Sequence, residues 1–308
     1  MKMDNFNNVV SINDISNIKK KFPILNKKID GKSITYLDSA ASSQKPQRVI
    51  NDIKHTYENN YANVHRGIYK LSQIVTDKYE NSRRNIAKFL NANSSKEIIF
   101  TRGATEGINL VASSLAEGII KGTDEIIIST LEHHSNIIPW QVLAKKTGAK
   151  IVELKPDSKG NIVLDDLKRC ISNKTKIISL PHITNSIGSI LPIEEICLYA
   201  RQKGIITLVD GCQSAPHIEI DLKKIQPDFY VLSGHKIYGP SGIGVLYGKK
   251  SMLEMLDPYQ TGGEMIDYVS IHEATFANIP NKFEAGTPNI VGAISLSSAI
   301  DFINDIGI

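Results

Sequence analysis

The sequence is poor in cysteine and in charge of one sign. Its three cysteines, Cys170, Cys197 and Cys212, are odd in number and show no CxxC spacing. This argues against a disulfide framework or a zinc site and favours a reducing compartment. The net charge is +4 over 308 residues, and no block of like charge exceeds the three lysines at 19–21. The charge pattern therefore gives no reason to expect nucleic acid or an anionic membrane surface as a partner.

Long apolar runs are also missing. No segment approaches bilayer length, and the first residues, MKMDNFNNVVSIND, lack the continuous apolar stretch of a secretory signal. Neither the Walker pattern nor GxGxxG of nucleotide sites is present. We therefore expect a cytoplasmic protein that binds neither membrane nor nucleic acid.

Short β-branched segments alternate with helix-like segments along most of the chain. Strands are predicted at residues 34–37, 97–100, 125–129, 151–154, 176–180, 205–209, 228–232 and 243–247. Helices are predicted at residues 46–58, 76–90, 105–116, 137–147, 164–170 and 193–202. This alternation is typical of an α/β layer fold with a mostly parallel sheet. In such a sheet, ligands bind at the carboxyl ends of the strands.

The strand predicted at residues 97–100 is followed by TRGATEGI at residues 101–108, which opens a helix pattern. Free backbone N–H groups and the positive end of the helix dipole can hold a phosphate there. The same residues also fit a simple capping turn, because Thr105 is a good N-cap.

Polar side chains follow four other predicted strands. His133 and His134 come after one of them, and adjacent histidines cannot face one metal ion from a helix. Asp210 directly follows an apolar strand, where it either caps a turn or pairs with a cationic group of a ligand. Asn185 lies a few residues beyond the strand predicted at residues 176–180. Lys236 follows the strand predicted at residues 228–232, in the stretch SGHKIYGPSGIG.

An anion-binding turn, a carboxylate, a histidine and a lysine are thus predicted at one edge of the sheet. Pyridoxal phosphate (PLP) needs a lysine for its Schiff base, a carboxylate at its pyridinium nitrogen and donors for its phosphate. We therefore interpret Lys236 as the lysine that binds PLP.

In these and the neighbouring residues, the chain resembles a known family, the SUF-type cysteine desulfurases of the class V aminotransferases. The resemblance runs from about Phe22 to the last residue. It is carried by the segments YLDSAASSQKP, YANVHRGIYKLS, EIIFTRGATEGINLVA, EHHSNIIPWQ, HITNSIG, LVDGCQSAPH, DFYVLSGHKIYGPSGIGVLYGK and FEAGTPN.

The resemblance implies fold type I of the PLP-dependent transferases, with a mostly parallel seven-stranded sheet flanked by helices. It divides the chain into an arm (1–21), a PLP-binding large domain (22–290) and the start of a small C-terminal domain (291–308). Most of that small domain would be missing, because the chain stops well short of the family's usual extent.

The resemblance also assigns cofactor roles. Lys236 would carry the Schiff base and later move the Cα proton. His133 would stack on the ring, and Asp210 would keep the ring nitrogen protonated. The remaining cofactor residues would be Ala104, Thr105, Asn185, Gln213, Ser233, His235 and, across a dimer interface, Thr287.

On the substrate side, the resemblance implies Ala40, Ala41, His65, Arg66 and Asn185. No metal is implied. The expected reaction converts L-cysteine to L-alanine in a homodimer and passes the sulfur, as a persulfide, to an acceptor protein of the SUF system for iron–sulfur cluster assembly.

The family's nucleophilic cysteine lies on a loop that this chain does not contain, and we expect Cys212 to pack against its strand end instead. The chain would then bind PLP without sustaining desulfuration. The alternatives are a selenocysteine lyase or an aminotransferase of the same fold, or a truncated binding partner without catalytic activity.

Overall fold

A computed structural model describes residues 12–308, and its central feature is a seven-stranded sheet. The helices are α1 (Ile12–Lys20), α2 (Gln47–Asn59), α3 (Lys70–Phe89), α4 (Ala104–Ala116), α5 (Ile138–Thr147), α6 (Leu164–Cys170), α7 (Ile193–Gln202), α8 (Leu222–Ile225), α9 (Lys250–Met255) and α10 (Ile290–Ile306). The strands are β1 (Lys28–Ile29), β2 (Lys32–Ser33), β3 (Ile98–Thr101), β4 (Glu125–Ser129), β5 (Lys150–Leu154), β6 (Thr175–Pro181), β7 (Ile206–Asp210), β8 (Phe229–Ser233), β9 (Gly244–Gly248), β10 (Ile266–Val269) and β11 (Ala274–Phe276).

The strand order in the central sheet is β3-β9-β8-β7-β6-β4-β5. Strand β9 is antiparallel to both of its neighbours, and the other strands all run in one direction. Their carboxyl ends therefore meet at one edge, as the alternating sequence pattern predicts. The α/β class and the mostly parallel seven-stranded sheet are confirmed.

Helices cover both faces of the sheet, which explains why its strands are apolar without alternation. All residues of β3, β8 and β9 are buried. Helices α4 and α5 pack on one face, where Trp140 is fully buried and donates its indole N–H to Asn136 at 2.8 Å. On the other face, α10 packs along α2 and α3 and buries Leu296 and Ile300.

Most predicted elements are confirmed, with ends that shift by a residue or two, except that α3 begins six residues earlier than predicted. The strand predicted at residues 34–37 is wrong. That segment pairs with no strand within residues 12–308, and Leu37 is 91% exposed. A strand is stable only with a partner, and the alternation of apolar residues does not supply one. The neighbouring residues instead form the small β1–β2 hairpin.

The predicted arm at residues 1–21 falls partly outside the described residues; its described part contains α1. The boundaries at 22–290 and 291–308 stay predictions. None of the helices within residues 12–308 combines the length and apolar character of a membrane span.

Candidate active site

The carboxyl edge of the sheet carries a small cavity between the ends of β6, β7 and β8. Lys236 closes a short 3-10 turn, Gly234–Lys236, that follows β8 directly. The cavity is lined by Glu132, His133, Pro181, Ile183, Asn185, Asp210, Cys212, Gln213 and Lys236. The structure thus brings together five of the residues singled out in the sequence, His133, Asn185, Asp210, Gln213 and Lys236.

Lys236 is held across the cavity by one amide. Its Nζ donates to Oδ1 of Asn185 at 3.0 Å, and Nε2 of Gln213 donates to the same oxygen. Gln213 also donates to the carbonyl oxygen of Ala40 at 2.7 Å, which brings the predicted substrate segment to the cavity rim. The amine, the amide and the Ala40 segment therefore share one hydrogen-bonded cluster.

Asp210 is a buried acid that lines this cavity. Oδ1 accepts from the backbone N–H of Cys212 at 2.9 Å, and the residue is 8% exposed. Among the described residues, no lysine, arginine or histidine forms an ion pair with it. A buried carboxylate is stable only with a partner, so this arrangement suits a ligand that presents a protonated ring nitrogen.

His133 and Glu132 line the same cavity as Lys236. Burial and then the nearby charge of Lys236 lower the pKa of His133, so its ring is neutral near pH 7. Burial and then Asp210 raise the pKa of Glu132 well above its usual value. Glu132 accepts from Nδ2 of Asn136 at 2.7 Å. A neutral imidazole and an acid with a raised pKa thus line the cavity together with Asp210.

The start of α4 forms a second part of the site. Ser233 accepts from the backbone N–H of Ala104 at 2.9 Å, and Thr105 Oγ1 lies 2.7 Å from Ser135 Oγ. This close approach needs glycine in β9, because a Cβ on Gly244 would lie 2.4 Å from the Gly103 Cα. Hydroxyls and the positive end of a helix dipole are thus gathered next to the turn that carries Lys236, as expected for a phosphate site.

Three predicted site residues lie away from this cavity. His65 pairs with Glu80 at 3.0 Å, and Arg66 pairs with Glu264 at 3.2 Å. Thr287 lines a separate cavity beside the β3–α4 turn. Their roles toward a substrate or across a dimer interface stay predictions.

Sequence reasoning assigned no function to Glu132, Ser135, Ser43 or Lys45. Glu132 lies in the same motif as His133, and Ser135 contacts Thr105. Ser43 and Lys45 lie in the YLDSAASSQKP segment and bond to the backbone next to Lys236. The sequence pattern marks these segments, but only the folded chain shows which of their side chains reach the site.

The cysteines are placed poorly for nucleophilic attack. Cys212 lines the cavity but is 6% exposed, and burial followed by the charge of Asp210 raises its pKa well above that of a free thiol. Cys197 is buried on α7, and burial raises its pKa to about 12. Cys170 ends α6 and does not line the cavity.

A family model described as Aminotransferase class-V matches residues 35–308. A probable cysteine desulfurase from Halalkalibacterium halodurans is 50% identical over 291 residues, which are 94% of this chain and 72% of that protein. The chain belongs to the cysteine desulfurases of the class-V aminotransferase family. The resemblance of its motifs to this family is therefore confirmed.

Solved structures of the class-V family agree in fold. A cysteine desulfurase from Escherichia coli superposes with a TM-score of 0.86 at 39% identity, over 94% of this chain and 71% of that one. A lysine-to-alanine mutant of C-DES, solved with glycine covalently linked to its PLP cofactor, gives a TM-score of 0.80 at 25% identity, over 94% and 74% of the chains.

Proposed function

We propose that the chain binds PLP through Lys236 and acts on L-cysteine as a PLP-dependent cysteine desulfurase. The observation that carries the proposal is the placement of the Lys236 amine and the buried Asp210 carboxylate in one cavity. Family membership and the cysteine desulfurases among the relatives support the same reaction.

The residues of the cavity fit this cofactor. Asp210 would hold the proton on the ring nitrogen, and the neutral ring of His133 would stack against the pyridine. Gln213 and Asn185 would orient the ring oxygen and the substrate. The phosphate would be held by Ala104, Thr105, Ser233 and His235. When bound, PLP supplies an electron sink for the charge left at Cα after a proton is removed.

Lys236 has two tasks in this proposal. Its amine would hold the cofactor in the resting enzyme, and as a free amine it would take the proton from the substrate Cα. The hydrogen bond from its Nζ to Asn185 shows that the amine already points across the cavity. General-base transfer by a positioned amine contributes about 10²- to 10⁴-fold in comparable enzymes.

The sulfur needs a thiol acceptor. In the balanced reaction, L-cysteine and a thiol give L-alanine and a persulfide, with the new S–S bond replacing the C–S bond. None of the three cysteines of this chain combines exposure, a low pKa and access to the cavity. We infer that the chain alone does not sustain desulfuration, and that turnover depends on an added thiol or a partner's thiol that takes the sulfur.

The finer biological setting belongs to the same proposal. We place the chain in a homodimer, in which Thr287 would reach a phosphate across the interface. Ala40, Ala41, His65 and Arg66 would lie on the substrate side. The persulfide would pass to an acceptor of the SUF system for iron–sulfur cluster assembly. Three free cysteines fit a reducing cytoplasm.

The test is reconstitution of the chain with PLP, followed by visible absorbance and by alanine formation with dithiothreitol as the thiol. We expect a protein-bound absorbance band that Lys236→Ala abolishes and that Lys121→Ala, at an exposed lysine, leaves unchanged. A wild-type chain without the band at saturating PLP, or a Lys236→Ala variant that keeps it, would refute the proposal.

A further inference from the structure

The carbonyl oxygen of His235, in the peptide unit that precedes Lys236, accepts hydrogen bonds from an unusual number of donors. They are the backbone N–H of Ser43 at 2.9 Å, Ser43 Oγ at 2.9 Å, Lys45 Nζ at 3.1 Å and Ser42 Oγ at 3.4 Å. A carbonyl oxygen has two lone pairs, so two or three donors saturate it. The segment at 42–45 is thus gathered around a single acceptor in a turn about 190 residues away.

The same segment also holds the chain on the far side of Lys236. The backbone N–H of Tyr238 donates to Ser43 Oγ at 2.8 Å. Tyr238 has a φ of +63°, a left-handed conformation that a bulky residue adopts only when its surroundings enforce it. Ser43 is 4% exposed, so these bonds are shielded from water.

Lys45 adds a charge to this contact. Its ammonium also donates to the Ser43 carbonyl at 2.5 Å, and among the described residues it forms no ion pair with a carboxylate. Burial lowers its pKa to about 8, so the group is still mainly cationic at neutral pH. Hydrogen bonds from a charged donor are about twice as strong as neutral ones.

We propose that Ser43 and Lys45 clamp the backbone on both sides of Lys236 and are positioning residues for its amine. The functional consequence rests on the proposed function. A lysine that alternates between covalent attachment and proton transfer needs a mobile side chain on a fixed backbone. A shift of about 1 Å in the position of a catalytic group costs up to about a hundredfold in rate.

Hydrogen–deuterium exchange of the PLP-free chain tests the clamp itself. In Ser43→Ala, the Tyr238 amide loses its acceptor and is expected to exchange about fivefold to tenfold faster, the factor for losing one hydrogen bond. Lys45→Met, which removes a charged contact between the segment that carries Ser43 and the His235 carbonyl, is expected to speed exchange at residues 237–239 in the same direction. Lys45→Arg, which keeps a charged donor, is expected to stay within about twofold of wild type. Lys54→Met, at an exposed lysine on α2, is the matched control. Unchanged amides in β7 and β8 show that the variants are folded.

Wild-type exchange at residues 237–239 in both Ser43→Ala and Lys45→Met would overturn the proposal. So would a Lys45→Arg variant that exchanges as fast as Lys45→Met, because the donor would then be irrelevant. This measurement needs no cofactor, so it stands even where PLP reconstitution of the wild type fails.

The PLP-loaded chain gives the second readout. Lys45→Met is expected to lower kcat for alanine formation by about tenfold or more while KM stays within about twofold, with recovery in Lys45→Arg. Faster exchange with unchanged kcat would show that the clamp does not position Lys236. Faster exchange without any PLP band in the wild type would refute the proposed function and leave the clamp in place.

Discussion

The buried ion pair between Arg83 and Glu284 gives the largest stability effect that the structure predicts. Arg83 Nη1 and Nη2 donate to the two carboxylate oxygens of Glu284 at 2.6 and 2.9 Å, and the side chains are 1% and 8% exposed. Glu284 also accepts from the Phe100 backbone at 2.7 Å and from the Tyr79 hydroxyl at 3.0 Å. It therefore joins α3 and β3 to the segment that carries Thr287.

Glu284→Ala is expected to lower the free energy of unfolding by about 3–5 kcal/mol, because it leaves a buried guanidinium with less compensation. Glu80 remains beside Arg83 at 3.1 Å and offsets part of the loss. The orphaned Phe100 N–H and Tyr79 hydroxyl add roughly 1–3 kcal/mol each where water does not replace the acceptor. This is a large share of the roughly 5–15 kcal/mol that holds a domain folded.

The assay is urea unfolding followed by circular dichroism, as a double-mutant cycle. The Arg83→Met/Glu284→Leu double variant is expected to lose far less stability than the summed losses of the Arg83→Met and Glu284→Leu single variants, because it removes both charges. Glu58→Ala, in the exposed Lys54–Glu58 pair at 3.7 Å, is the control and is expected to cost under about 0.5 kcal/mol. A loss below about 1 kcal/mol for Glu284→Ala, or strictly additive single losses, would refute the reasoning.

Thiol reactivity, acid stability and cofactor affinity each have an expected outcome. In the native chain, a thiol reagent should modify Cys170 first and Cys212 only after unfolding, as intact mass would show; early labelling of Cys212 contradicts its burial. Burial alone would raise the pKa of Glu80, but hydrogen bonds from His65 and Arg83 lower this pKa to about 2. The contribution of Glu80 to the free energy of unfolding is therefore complete above about pH 4.3 and fades toward pH 2. Glu80→Gln should flatten the plot of urea midpoint against pH over that range. An unchanged slope would argue against the lowered pKa of Glu80. Asp210→Asn should weaken PLP binding about tenfold to a hundredfold in an absorbance titration. A variant with wild-type affinity would show that PLP binding does not depend on the Asp210 carboxylate.

The bounds of helices and strands were predicted well where residues within or next to the element determine them. Helix α5 ends at Gly148, whose φ of +83° is the left-handed conformation that a helix C-cap favours. Likewise α6 and α7 were predicted with their observed bounds, because their apolar periodicity is interrupted at both ends. The β10–β11 hairpin was missed, since its residues are largely exposed and show no buried face.

The site was predictable only to the edge of the sheet on which it lies. A polar residue after an apolar strand points to that edge, and Asp210 and Lys236 were found in this way. Which strands are neighbours is a matter of topology, and no spacing reveals that β8 lies between β7 and β9. The donors to the His235 carbonyl were missed for a similar reason. Hydrogen bonds to a backbone oxygen produce no repeating pattern of residue types in the sequence.

The packing beneath Asp210 explains why its charge is available to a ligand. Gly211 has no room for a side chain, because a Cβ would lie 2.0 Å from the Tyr230 ring, so the chain passes closely over that ring. The Tyr230 hydroxyl lies 2.6 Å from Ser214 Oγ and 3.1 Å from His182 Nδ1. Burial lowers the pKa of His182 to about 4, so this layer is neutral at pH 7. A cation that neutralises Asp210 must therefore come from the cavity side, where Lys236 and a protonated ring nitrogen would lie.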